Sequence, residues 1–419
     1  MINTAMILRT AALSVLLGAT TCSNQPAKQQ HSAADNATTS VQQPAEQSKG
    51  IVIAANRTEA YIDQLKGKNI GMVINQTSTI GKGKKLTVDS LLKLGAGIKK
   101  IFGPEHGFRG DASDGATVAN STDKATGLPV ISLYGKHYKP TPADLKGLDL
   151  VIFDIQDVGT RFYTYISTLH YVMEACAENN IPVMVFDRPN PNGYLVDGPV
   201  LLDTTVKSFV GMHPVPIAHG MTIGEYAQMI NGEKWLKNGI QCKLTVIKME
   251  GYNHQVDYTL PVPPSPNLNT QQSVLLYPSL CLFEGTTFSI GRGTMFPFQV
   301  VGHPALKGKY SYSFTPVSIP GMSENPPQKG NTCYGINLKD YDVHSLKSSG
   351  KLNLKWLIEL YKAFPDKKTF FNTYFVKLAG TKQLQKQIEA GVTESEIRSS
   401  WEPALNDFKA TRKKYLLYP

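Results

Sequence analysis

The run "LDLVIFDIQ" (148–156) is apolar at four successive positions, Leu150 to Phe153. A strand with one wet face alternates apolar and polar residues. An unbroken run marks a strand covered on both faces, as in parallel sheets. A second such run, "IPVMVFDRP" (181–189), follows the amphipathic helical stretch "YISTLHYVMEACAENN" (165–180). Two fully buried strands joined through a helix form a parallel βαβ unit. The same alternation surrounds it. "NIGMVIN" (69–75), "IKKIFG" (98–103), "LPVISLYG" (128–135) and "CKLTVIKM" (242–249) read as strands. "LTVDSLLKLGA" (86–96) and "MTIGEYAQMINGEKWL" (221–236) read as helices, the second capped by Thr222. The pattern predicts an α/β domain with a mostly parallel sheet over residues 51–255. After "LPVPPSPNLNT" (260–270), an extended proline-rich piece, shorter strand-like segments lead into two helices, Asn353 to Phe364 and Glu394 to Tyr415. Residues 256–419 are expected to form a smaller α+β domain.

Ligands of parallel sheets bind beyond the carboxyl ends of the strands. Three loops leaving strands here are dense in Gly, Pro and polar residues: "GPEHGFRG", "DIQDVGTRFYTY" and "DRPNPNG". Parallel strands would gather Glu105, Asp154, Gln156, Asp157, Arg161, Asp187, Arg188 and Asn190 at one rim, the expected functional site. Glu105 is the candidate acid. Burial beneath a neighbouring domain would raise its pKa, whereas His106 and Arg109 would lower it. A structural ion pair between Glu105 and Arg109 is the competing reading.

Several chemistries lack their signatures. No G-x-G-x-x-G follows the first strand, no G-x-x-x-x-G-K-[ST] occurs, and "TFSIGRG" lacks G-x-S-x-G spacing. No H-E-x-x-H is present, and neither a metal nor any other cofactor is expected. Carboxylates, arginines, amides and tyrosines remain, a set suited to glycoside chemistry. Of eight Arg, four (Arg109, Arg161, Arg188, Arg292) lie in Gly/Pro-dense segments, although Lys numbers 35. The planar guanidinium grips carboxylates bidentately, so a substrate bearing a carboxylate fits, with pairing to Asp154, Asp157 or Asp187 as the alternative. The net charge of +10 suits a polyanion or a solvated basic face. No basic-aromatic motif for nucleic acid accompanies it, and no obligatory protein partner is indicated.

At the N-terminus, Arg9 precedes an apolar run from Thr10 to Ala19 that is too short to span a bilayer, then Cys22. Residues 1–22 read as a lipoprotein-type signal with acylation at Cys22, although Ala19 and Thr21 fit that pattern imperfectly. Residues 23–50, rich in Ser, Thr, Gln, Asn and Ala, read as a disordered tether. An exported, periplasmic, lipid-anchored protein is expected. Cys176, Cys242, Cys281 and Cys333 are widely spaced, three of them in apolar contexts, and are expected as buried thiols.

"FGPEHGFRG", "DIQDVGTRFYTYI", "FDRPNPNG", "HGMTIGEYA", "PPSPN", "YPSLCLFEGTTFSIGRGT" and "PFQVVGHP" together resemble the NamZ-type exo-β-N-acetylmuramidases. The resemblance covers nearly the whole chain after Ala55. It implies a Rossmann-like domain that binds no NAD, an auxiliary C-terminal domain completing an interface pocket, and release of N-acetylmuramic acid from the non-reducing end of peptidoglycan fragments. It places the family's catalytic glutamate on Glu105. Glu284 and Asp154 or Asp157 are candidates for the second catalytic group, with the substrate's own acetamido oxygen as the alternative. His106, Arg109, Gln156, Asp157, Arg161, Tyr163, Asn190, Asn267 and Arg292 are the expected contacts to muramic-acid-containing saccharides.

Overall fold

Alternate residues of the central strands enter two different cores. Met72, Ile74, Ile152, Met184 and Phe186 pack on one side of the sheet with Leu65, Val88 and Leu91. Val73, Val151, Phe153, Val183 and Val185 pack on the other with the helix Tyr165–Glu178. Both faces are dry, which accounts for the continuous apolar runs.

The computed structural model describes residues 50–81, 85–105, 108 and 120–419. Seven strands form the sheet: β1 (Ile70–Ile74), β2 (Ile98–Gly103), β3 (Ser121–Thr122), β4 (Pro129–Ser132), β5 (Leu150–Asp154), β6 (Val183–Phe186) and β7 (Leu244–Ile247). Their order is β7-β6-β5-β1-β2-β4-β3. The short edge strand β3 is antiparallel, and every other neighbouring pair is parallel. Met72 lies level with Ile101 and Ile152, and Ile152 with Met184. The loops after β1, β2, β5 and β6 therefore leave along one rim, as the α/β reading required.

The helices used below are α1 (Tyr165–Glu178), α2 (Ile223–Gly232), α3 (Gln271–Leu280), α4 (Lys355–Ala363), α5 (Phe375–Ala379) and α6 (Glu394–Arg412); further short helices, Thr87–Lys93, Val343–Ser349 and Gln383–Glu389 among them, accompany these. Thr222 caps α2 by a capping box with Glu225. A second, antiparallel sheet has the order β8 (Val300–His303), β10 (Cys333–Asn337), β9 (Tyr312–Phe314). The larger core runs without a break from Val73 to Phe408, so the C-terminal elements share it with the parallel sheet. All four described cysteines are buried free thiols.

The sequence reading assigned no element to residues 271–280, and α3 forms there despite Pro278. A proline leaves the carbonyl four residues earlier without its helical donor. That carbonyl is Val274 O, and Asn192 Nδ2 donates to it at 3.1 Å. The Asn192 side chain, from the loop after β6, thus supplies the missing donor and ties α3 to the rim.

Candidate active site

The main cavity, about 520 Å³ in volume, opens where the loop after β2 faces the segment after α3. Glu105 follows Gly103 and Pro104 at the end of β2 and lines this cavity, half-buried. Its Oε2 accepts a 2.8 Å hydrogen bond from Thr164 Oγ1, at the N-cap of α1. Tyr163 and Tyr165, flanking Thr164, also line the cavity. The hydroxyls of both donate to Pro264 O, at 2.8 and 3.3 Å. They pin the "PPSPN" loop, which brings Asn267 into the wall. Asn267 Nδ2 donates to Met322 O at 3.0 Å, while its buried Oδ1 has no partner among the described residues.

A second carboxylate lines the same space. Glu284 sits on the tight turn Cys281–Gly285 that follows α3. Its Oε1 receives both Nε and Nη2 of Arg292, each at 2.7 Å, and its Oε2 receives the Cys281 thiol at 3.3 Å. Burial, with Glu284 alongside, holds that thiol well above its usual range. Arg292 in turn lies over the Phe298 ring, 5.2 Å from its centroid. Among the described residues, Glu105 and Glu284 are the carboxylates of the lining.

Of the expected site residues, Glu105, Tyr163, Asn267, Glu284 and Arg292 meet in this cavity. The others divide into two groups. His106, Arg109 and Cys22 lie outside the described residues. Asp154, Gln156, Asp157, Arg161 and Asn190 are described, and the structure corrects their expected placement: each is buried behind the wall rather than lining it. Asp154 Oδ1 receives Arg188 Nε at 2.6 Å, and Arg188 Nη2 bonds Thr79 O, so this acid is a buried clasp between β5 and the loop after β6. Gln156 Nε2 donates to Asp157 O and Pro189 O, and Asn190 Nδ2 donates to Met221 O. Arg161 is fully buried; Nη1 donates to Pro199 O and Val215 O, and Nη2 to Leu378 O, at 2.7–2.9 Å.

Asp157 belongs to a dry pocket of its own. Its Oδ2 accepts from Gly159 N–H at 2.7 Å, and His219 Nε2 stands 3.9 Å away. Desolvation pushes the Asp157 carboxyl up to about 7. Desolvation likewise pushes His219 down to about 3, with Arg412 and Arg161 adding to the effect.

Family models match almost all of the described chain. Residues 70–272 match the N-terminal domain of the exo-β-N-acetylmuramidase NamZ, and residues 275–418 match its C-terminal domain. The chain belongs to the NamZ family. The peptidoglycan β-N-acetylmuramidase NamZ of Bacillus subtilis (strain 168) is 43% identical over 380 residues, covering 85% of this chain and 89% of that protein. Two crystal structures of DUF1343 family proteins from Bacteroides fragilis NCTC 9343 share the fold. One is 46% identical with a TM-score of 0.81, the other 30% identical with a TM-score of 0.75. Each covers 88% of this chain and 99% of its own.

Several lining residues of this NamZ-family cavity escaped the sequence reading. Thr164 sits inside a quoted motif, and its signal was its place one residue before an amphipathic helix. Tyr134 closes the "LPVISLYG" strand segment, a position the strand-end rule covers. Tyr138, Phe209, Tyr374 and Lys377 sit in segments without motif or periodicity, and the fold alone brings them here.

Proposed function

We propose that this chain is a glycoside hydrolase that removes N-acetylmuramic acid from the non-reducing end of peptidoglycan fragments, with Glu105 as general acid. The carrying observation is Glu105 itself. It sits at a strand exit in the main cavity, and Thr164 holds one of its oxygens at 2.8 Å. The other oxygen has no partner among the described residues and is available to the glycosidic oxygen of the leaving sugar. Protonating that oxygen lets the C1–O bond break as positive charge develops on the N-acetylmuramic acid ring, and water, giving up a proton, completes the hydrolysis at that ring's anomeric carbon. Glu284, held by Arg292 and Cys281, supplies the anionic wall that favours this charge. Tyr163 and Tyr277, with ring centroids 5.9 Å apart, contribute apolar surface for a pyranose.

The test is incubation with a muramic-acid-β-1,4-N-acetylglucosamine disaccharide, following free N-acetylmuramic acid by mass spectrometry. Wild-type protein should release it and Glu105→Gln should do so far more slowly; no release by folded wild-type protein would overturn the assignment. Arg9, the apolar run to Ala19 and Cys22 support an exported protein anchored by a lipid at Cys22 on the periplasmic side of an envelope membrane. Metabolic labelling with a fatty acid checks this, with Cys22→Ser as the unlabelled control.

A further inference from the structure

Resting on the glycosidase reading, we infer that Lys377 takes the substrate's carboxylate and that Arg161 is a positioning residue for it. Two cations line the main cavity among the described residues, Arg292 and Lys377. Arg292 is engaged by Glu284 through two nitrogens. Lys377 is exposed, and its ammonium makes no hydrogen bond or ion pair with any described residue.

A solvated lysine on a floppy segment would mean little. Lys377 is on α5, and α5 is clamped at both ends. At its N-terminal side, Asn372 N–H donates to Gly285 O at 2.9 Å, and Asn372 Nδ2 to Glu284 O at 3.3 Å. A Cβ on Gly285 would stand 2.3 Å from Phe375 Cα, so the turn bearing Glu284 and the start of α5 are in backbone contact. At the other end, Gly380 closes α5 with φ +71°, and a Cβ there would stand 2.4 Å from the Arg161 guanidinium. Arg161 Nη2 also donates to Leu378 O at 2.9 Å. The arginine that the sequence offered as a carboxylate ligand thus fixes the helix that presents a lysine. Lys377 and Glu284 keep a set relation, which places a cation for the substrate anion beside the carboxylate wall.

The experiment measures kcat and KM on two matched β-glycosides, one of N-acetylmuramic acid and one of its neutral lactyl amide. Wild-type protein should prefer the acid about tenfold, the lower end for a charge-assisted hydrogen bond at a partly solvated site. The preference should reside in KM and weaken with added salt. In Lys377→Met the acid/amide ratio should fall below about two; Lys377→Arg should keep most of it. An Arg161→Lys protein that folds should lose part of the same ratio, which a loss of global stability alone would not move. If Lys377→Met retains the full preference while still releasing muramic acid, the anion is recognised elsewhere and the inference fails with the glycosidase reading intact. If wild-type protein hydrolyses neither glycoside, both readings fail together.

Discussion

The strand-end rim and the cavity wall carry similar residues, but their polar atoms are bonded to different things. On the rim, Asp154 is bound by Arg188, Arg161 by three carbonyls, and Gln156 and Asn190 by further carbonyls of neighbouring loops. Each of these side chains is anchored to protein, although Asp154 Oδ2, Asp157 Oδ1 and Arg161 Nε are buried with no partner among the described residues. On the wall, Glu105 keeps one oxygen, Asn267 its Oδ1 and Lys377 its ammonium without a partner among the described residues. Buried polar groups need partners to offset desolvation, and most of those named on the rim find them internally. Motif density therefore marks two different settings: the rim braces the loops behind the cavity, and the wall presents the groups that the proposed reaction uses.

The largest expected effect separates the two regions directly. Glu105→Gln should lower kcat by roughly 10²–10⁴-fold, the usual worth of a general acid, with a melting temperature close to wild type. Near-normal turnover in a folded variant would remove Glu105 from the mechanism. Arg161→Ala should do the opposite. It leaves Pro199 O and Leu378 O without donors, while Val215 O keeps Leu201 N–H; at about 1–3 kcal/mol for each orphaned carbonyl, stability should fall by on the order of 2 kcal/mol or more. Urea denaturation reads it; an unchanged midpoint would mean the rim is not the scaffold described here.

The sheet was legible because continuous apolar runs such as Leu150 to Phe153 have few alternatives to a doubly covered strand. The rim was legible too, since parallel strands must release their loops together. What the sequence could not separate was rim from wall. Asp154 and Glu105 are both acids at strand exits, and nothing local says that Arg188 claims one and leaves the other. Helix α3 was hidden by Pro278, whose penalty is offset by Asn192, a residue 82 positions from the carbonyl it serves. Lys377 lies in an unremarkable stretch, and only the packing of Gly285 and Gly380 gives it a fixed place. Such long-range compensation has no local signature.

The third effect concerns pH. Desolvation raises Asp157 to about 7 from an ordinary value of 3.8. A carboxyl with a raised folded-state pKa contributes stability that is fully present below the unfolded value and lost as pH rises through the folded one. Between about pH 4 and 7 the folded state should thus lose stability through this group. Asp157→Asn does not titrate and can still accept the Gly159 N–H. Its stability relative to wild type should rise across that window, by roughly 1–3 kcal/mol at pH 8. Parallel curves for the two proteins between pH 4 and 8 would show that Asp157 is not desolvated in the folded state.

The smallest expected effect falls on the border between the regions. Thr164 belongs to the rim by chain position, one residue before α1, yet its hydroxyl donates to Glu105 in the wall. Removing it takes one hydrogen bond from the carboxyl without exposing a buried charge, because Glu105 is half-buried and water can replace the donor. A net hydrogen bond is worth about 0.5–1.5 kcal/mol, so Thr164→Val should cost roughly 2- to 10-fold. The loss should sit in kcat, since the hydroxyl orients the acid and does not itself hold substrate, and Thr164→Ser should restore most of it. A loss in KM instead would place the hydroxyl on the sugar. A loss as large as that of Glu105→Gln would mean that the rim residue, and not the wall carboxylate alone, carries the proton-transfer geometry.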